Sequence, residues 1–235
     1  MPDAATRRMP RTRSVDRIAY LTRLAAGRSV IHVGFAGETR ATIDDLRNNP
    51  LWLHGALGGS ATRLVGLDLD AASVERARAA GFEAHRADAA DAASLSALDL
   101  EPADLVIAGE VIEHVERPGE LLDALHLLVA PGGRLAITTP NAASLLNPLA
   151  AAARYELINP DHVSFYSWYT LGNVMERHGW RVRRFLTYHF PFAGEAWAGG
   201  GAAAAGRAMA RVQATLSRWW PYLDFGLIAV ADSGR

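Results

Sequence analysis

The chain reads as an α/β protein with a mostly parallel sheet covered by helices on both faces. Three observations predict this. Short β-branched runs alternate with amphipathic stretches along most of the length. Runs such as Val30-Ile31-His32-Val33 and Leu105-Val106-Ile107 are almost continuously apolar, as strands buried on both sides must be. Polar, chemistry-bearing residues gather just past the strand ends, where open α/β sheets hold their ligands.

The elements follow in order. Val15 to Ala26 has apolar residues at helical spacing (Ile18, Leu21, Leu24) and stops at Gly27. Ser29 to Val33 is a strand that opens into the loop Gly34-Phe35-Ala36-Gly37. Thr42 to Leu57 is helical, interrupted or restarted at Pro50, and within it His54 reads as a packed helix residue. Arg63 to Asp68 is a second strand, Ala71 to Ala80 a helix closed by Gly81, and Phe82 to Asp88 a short third strand. Leu105 to Ala108 is the fourth. Leu121 to Val129 is a helix halted by Pro131-Gly132-Gly133, and Arg134 to Thr139 the fifth strand. Tyr169 to His178 is a helix closed by Gly179, followed by strands Trp180 to Tyr188 and Gly226 to Val230. Between Gly206 and Pro221, the residues Met209, Val212, Leu216 and Trp219 recur at helical spacing. They suit a helix packed on its own sheet, a lid, a dimer face or a membrane-surface helix.

Composition narrows the function. The 235 residues are 50% hydrophobic and 21% charged, with a formal net charge of −1, so no global basic field invites nucleic acid or an acidic membrane. There is no cysteine, which removes disulfides, thiolate metal sites and cysteine nucleophiles. No apolar run reaches the roughly 18 residues of a transmembrane helix, and nothing resembles a secretory signal, so a cytoplasmic protein is expected. Residues 1–14, with Arg7, Arg8, Arg11 and Arg13, read as a flexible basic tail or an arm for an anionic partner. Residues 15–235 form a single domain, in which 189–222 is a candidate lid or acceptor-shaping segment containing a Gly/Ala-rich patch at 199–206.

The first loop brings backbone N–H groups close to a ligand, with Gly34 and Gly37 supplying the freedom. Neither G-x-G-x-x-G nor G-x-x-x-x-G-K-[ST] is present, so a dinucleotide or a nucleoside triphosphate has no support. Asp68 ends the second strand, where a carboxylate can accept from both hydroxyls of a ribose. Asp88 ends the third, where one can accept from an adenine amino group. Each alone suits a helix N-cap. Together they describe a nucleoside site without a phosphate cradle, which S-adenosylmethionine (SAM) fits better than a dinucleotide.

Past the fourth strand lies Gly109-Glu110-Val111-Ile112-Glu113-His114. If a helix begins there, Glu110, Glu113 and His114 share one face as acid/base or metal-ligating groups. Downstream, His162 lies in Asn159-Pro160-Asp161-His162, a loop able to close the same site. Asn141, after Thr138-Thr139-Pro140, suits either orientation of an acceptor or a helix cap.

The segments Ile31 to Gly37, Val65 to Asp68, Ala87-Asp88-Ala89, Asp104 to His114 and Pro131 to Leu135 resemble the class I SAM-dependent methyltransferases over about residues 15 to 190. The resemblance implies a Rossmann-like seven-stranded sheet, mostly parallel with the last strand antiparallel. It implies a cofactor site of His32, Gly34, Phe35, Ala36, Gly37, Asp68, Leu69, Asp88, Ala89 and Gly109. The family's usual acidic-x-Gly-x-Gly-x-Gly is altered here, with His32 at the acidic position, Ala36 at the second glycine and Glu38 at the third. Glu-x-x-Glu-His with a distant His further resembles the metal-dependent branch, which includes small-RNA 2′-O-methyltransferases and ubiquinone-pathway O-methyltransferases. That likeness implies Glu110, Glu113, His114 and His162 as ligands of Mg²⁺, Mn²⁺ or Zn²⁺, with Glu113, His114 and His162 catalytic.

The expected activity is O-methylation of a small hydroxylated acceptor, such as a sugar or natural-product moiety. Alternatives are a metal-independent N- or C-methyltransferase, an RNA ribose methyltransferase, and a non-catalytic interaction protein of the same fold. A homodimer is compatible with all of them.

Overall fold

A computed structural model describes residues 7–36, 52–189 and 211–234. Gly37, most of the expected helix from Thr42, and the 199–206 patch lie outside the described residues. Eight strands form one sheet: β1 (Ser14–Val15), β2 (Ser29–Val33), β3 (Arg63–Asp68), β4 (Glu83–Arg86), β5 (Ala103–Gly109), β6 (Val129–Pro140), β7 (Trp180–Tyr188) and β8 (Gly226–Ser233). Their order is β1-β7-β8-β6-β5-β2-β3-β4. Only β8 runs antiparallel, to β6 and β7. The expected seven strands with an antiparallel last one are present, and the two-residue β1 extends the sheet beyond β7.

The period-two alternation of the strands divides the core. Val106 and Ala108 of β5 pack on one face with Leu121, Leu122 and Leu125, and with Leu171 and Met175. Those residues come from α5 (Pro118–Ala124), the 3₁₀ turn that continues it, and α7 (Trp168–Arg177). Leu105 and Ile107 point to the other face, against Leu21 and Ala25 of α1 (Arg17–Ala25) and Leu53 and Leu57 of α2 (Leu53–Gly58). The remaining helices are α3 (Ala71–Ala79), α4 (Ala92–Ser96), α6 (Leu146–Ala152) and residues 211–216.

Three local outcomes differ from the sequence expectation. The helix expected over Leu121 to Val129 starts at Pro118 and tightens to 3₁₀ geometry over Leu125–Leu128. The Pro131-Gly132-Gly133 stretch lies inside β6, whose pairing with β5 shifts register between Ala103 and Leu105. Residues 12–14, expected within a flexible tail, and Val15, expected to open a helix, lie along the sheet edge. There the Thr12 hydroxyl donates to Phe185 O at 2.8 Å, Thr187 N–H donates to Arg13 O at 3.2 Å, and Ser14 and Val15 pair with Thr187 and Tyr188.

The strand order reverses between β2 and β5, since the chain leaves β2 towards β3 and returns on the other side. Ligands of open α/β sheets bind at this crevice, outside the carboxyl ends of the strands.

Candidate active site

A cleft of about 1420 Å³ opens at that crevice. A single small ligand usually occupies roughly 300–1,000 Å³, so the cleft has room for a cofactor and an acceptor together. Every expected site residue in the described part lines it: His32, Gly34, Phe35, Ala36, Asp68, Leu69, Asp88, Ala89, Gly109, Glu110, Glu113, His114 and His162.

The loop after β2 is shaped for close approach. Gly34 has φ +72°, and a Cβ there would lie 2.3 Å from Val111 Cγ2. Its N–H donates to Leu67 O at 2.8 Å, which ties the loop to β3. Asp68 Oδ2 accepts from Ala36 N at 3.1 Å and its Oδ1 from Asp70 N at 3.0 Å, so the carboxylate is fixed at the cleft wall. Asp88 is exposed at the next strand end, its Oδ1 accepting from Ala90 N at 2.9 Å. Two carboxylates oriented by backbone amides beside a glycine loop suit the polar edges of a nucleoside.

His32 is buried beneath this loop, with Nδ1 at 3.2 Å from Nδ1 of His54. Burial, the neighbouring His54 and Arg17 hold His32 well below the ordinary imidazole range, and burial lowers His54 to about 4. Both rings are neutral, so His32 brings no charge to a position that is usually acidic. His54 packs against Phe35, Trp52 and Phe82, as a packed residue should.

Glu110 does not share a face with Glu113 and His114. Its φ of +56° turns the chain before the 3₁₀ turn Ile112–His114 begins, which separates its side chain from theirs. Glu110 Oε1 accepts from the Tyr188 and Thr138 hydroxyls, both at 2.7 Å, and pairs with Arg17 Nη1 at 3.4 Å. Burial and Glu110 push Tyr188 well above its ordinary value, so it acts as a neutral donor. The Tyr188 ring reaches this position because the residue opposite it in β8 is Gly226, where a Cβ would lie 2.0 Å from the ring.

Glu113, His114 and His162 do converge. One ligating atom from each lies within 4.8 Å of the others, and Glu110 is outside this group. The fold builds the cluster through Glu113's own carbonyl, which accepts from Val163 N at 2.9 Å and Ser164 N at 3.1 Å and so holds the His162 loop against the turn. The two imidazoles meet edge to face at 4.5 Å. His114 Nδ1 is 3.2 Å from Asp161 O. A carbonyl only accepts, so Nδ1 carries the hydrogen and Nε2 keeps its lone pair. Glu113 is 0% exposed, with the Thr139 hydroxyl and its own backbone N–H as the groups that favour the charged form of its carboxyl. Burial and the charge of Glu110 raise it to about 8. A buried carboxyl beside two imidazoles, one oriented by a backbone carbonyl, fits a divalent cation by donor type.

Arg17, Tyr188 and Thr138 were missed by the sequence reading. They come from the start of α1 and the ends of β7 and β6, and only the fold brings them to Glu110. Asn141 lines the cleft as a structural tie. Its Nδ2 donates to Tyr222 O at 2.8 Å and to Asp224 O at 2.9 Å, and its Oδ1 accepts from Ala143 N at 3.0 Å.

This sheet order, with a glycine loop and two strand-end carboxylates at its switch point, defines the class I SAM-dependent methyltransferase fold. The chain belongs to the methyltransferase-domain family, whose model matches residues 51–184. A SAM-dependent methyltransferase from Archaeoglobus fulgidus is 20% identical, with 91% of each chain covered and a TM-score of 0.53. The N-methyltransferase NodS from Bradyrhizobium japonicum is 14% identical, with 93% of this chain and 95% of that one covered and a TM-score of 0.54. The cyclase SpnF has the same fold at 15% identity, with 92% of this chain and 79% of that one covered and a TM-score of 0.54. At these identities the likeness is one of fold. None of the curated proteins matches the chain.

Proposed function

We propose that this methyltransferase transfers the SAM methyl group to a hydroxyl oxygen of a small acceptor such as a sugar or natural-product moiety, and that Glu113, His114 and His162 handle that hydroxyl. The supporting observation is the buried Glu113 carboxyl within 4.8 Å of two imidazoles, in the same cleft that Asp68 and Asp88 line. An aliphatic or sugar hydroxyl is too weak an acid to ionise freely at neutral pH and needs a base or a cation.

SAM, when bound, supplies an electrophilic methyl on sulfur. The glycine loop and Asp68 and Asp88 hold its adenosyl end, with Leu69 and Ala89 alongside. Arg17 and Glu110 give the region beside Gly109 one positive and one negative group, suited to the carboxylate and ammonium of the methionyl part. As the O–C bond forms and the S–C bond breaks, the acceptor proton passes to an imidazole of the His114–His162 pair. A divalent cation held by Glu113, His114 and His162 would add Lewis acidity towards the hydroxyl.

The test is methylation of a panel of hydroxylated acceptors in EDTA and with added Mg²⁺, Mn²⁺ or Zn²⁺. Calorimetry of S-adenosylhomocysteine binding accompanies it. Glu113→Gln and His162→Asn are expected to lower kcat/KM about 100-fold, within the range of lost acid/base assistance, while leaving the S-adenosylhomocysteine affinity within about threefold. Failure to bind S-adenosylhomocysteine would overturn the methyltransferase reading. Full activity of both variants in EDTA would leave that reading and remove the cluster from it.

A further inference from the structure

The strongest unused feature is a surface where the two ends of the described chain meet. The Tyr222 hydroxyl donates to Pro10 O at 3.0 Å, and the Ser14 hydroxyl donates to Asp224. Arg7 stacks at 4.9 Å over Tyr169, and Trp168 lies 6.4 Å from the Tyr222 ring. Residues 7–14 therefore run beside 222–224, and Trp220 is two residues from that contact, at most about 7 Å along the chain.

The two segments carry exposed side chains of two kinds. Arg7, Arg8, Arg11, Arg13, Arg211 and Arg218 are all exposed. Residues 7–13 and 211–223 contain no carboxylate, so nothing within these segments neutralises the six guanidiniums. Among them stand Trp219 at 79% exposure and Trp220 at 58%, with Met9 and Val212 also exposed. The inward side of the segment is firmly fixed. Gln213 donates to Ser144 Oγ and to Leu223 O, both at 2.9 Å, and the Ser217 hydroxyl donates to Gln213 O. The tryptophans thus project from an anchored support, and the chain's net charge of −1 conceals a local excess of positive charge.

We propose that this surface docks the protein on an anionic lipid bilayer, with Trp219 and Trp220 seated at headgroup level and the arginines on lipid phosphates. Arginine clusters supply the attraction to anionic leaflets, and indole rings favour the boundary between water and hydrocarbon. Met9 and Val212 distinguish this occupant from nucleic acid, since aliphatic groups add to insertion in a lipid interface and nothing to phosphate recognition. Ser144, which accepts from Gln213 on the inward side of the same segment, also lines the cleft, so this segment connects the docked face to the cleft wall.

Sedimentation of the full chain with phosphatidylcholine vesicles, with and without about one-third phosphatidylglycerol, tests this. Binding to the anionic vesicles is expected to exceed binding to the neutral ones at least tenfold. Trp219→Ala with Trp220→Ala should lower it at least tenfold, as should Arg7, Arg8, Arg11 and Arg13→Gln, with unchanged circular dichroism. Both tryptophans are exposed and outside the cleft, so S-adenosylhomocysteine affinity should not change in the tryptophan variant. Tryptophan fluorescence should shift to the blue on anionic vesicles, and that shift should vanish with the double replacement. Equal partitioning to both vesicle types, binding indifferent to the tryptophans, or binding to RNA without binding to vesicles would each overturn the proposal.

Discussion

Gly34 shapes the cleft-lining loop after β2, where we propose that the adenosyl end of SAM is held. Its left-handed φ and the Val111 side chain, which would lie 2.3 Å from an added Cβ, leave no room for a side chain. Gly34→Ala is expected to cost about 1–3 kcal/mol of stability through strain and to weaken S-adenosylhomocysteine binding, both measurable by thermal unfolding and calorimetry. Wild-type stability in that variant would show that the loop relaxes without penalty. Residue chemistry was the most legible level in the sequence. Gly34 and Asp68 could be placed because each ends or follows an apolar run that had to be a strand, and Asp88 because it follows the next short strand after a helix closed by Gly81. Glu110 was misplaced for an equally physical reason. Its i, i+3 relation to Glu113 implies a shared face only within a helix, and one backbone angle at Glu110 breaks that relation. No pattern of side chains announces a left-handed non-glycine residue.

Between elements, the contact of β2 with α2 through His32 and His54 makes stability depend on pH. Between about pH 4 and the ordinary imidazole value of 6.5, the unfolded chain binds a proton at His54 that the folded chain refuses. Burial lowers His32 in the same direction. Stability therefore falls as pH drops through that window and is fully present above it. In thermal unfolding from pH 7 to pH 4, His54→Phe should lose less stability than the wild type; identical slopes would remove the pair as the cause. Helix α1 offers a simpler test. Asp16 caps it by accepting from Ala19 N at 2.7 Å, and Asp16→Ala should cost about 0.5–2 kcal/mol. Where a helix carries both a cap and a closing glycine, as here with Gly27, the sequence placed its ends to within two residues. Short α4 and α6 were missed because five and seven residues give no readable period. The pairing of β1 was missed because two residues form no pattern at all.

At the scale of the molecule, the sheet is fastened most strongly at its centre. Strands β2, β5, β6 and β8 each have a partner on both sides, whereas β1 and β4 are edges. Amide exchange should be slowest in the central four and fastest at the edges; protection of β4 equal to that of β5 would contradict this. The parallel sheet was legible as a class because alternating strand and helix patterns admit few other architectures. The cleft's charged wall was not, since Arg17, Thr138 and Tyr188 come from three distant stretches and meet only after folding. The short strand β1 then acquires an importance beyond its size. It joins the chain to β7 two residues before Arg17, so the cationic side of the cleft hangs from the outermost edge of the sheet. A bulky fusion placed directly ahead of Ser14 would reach the cleft by leverage, because Val15 is paired with Tyr188, whose hydroxyl holds Glu110 in the cleft wall.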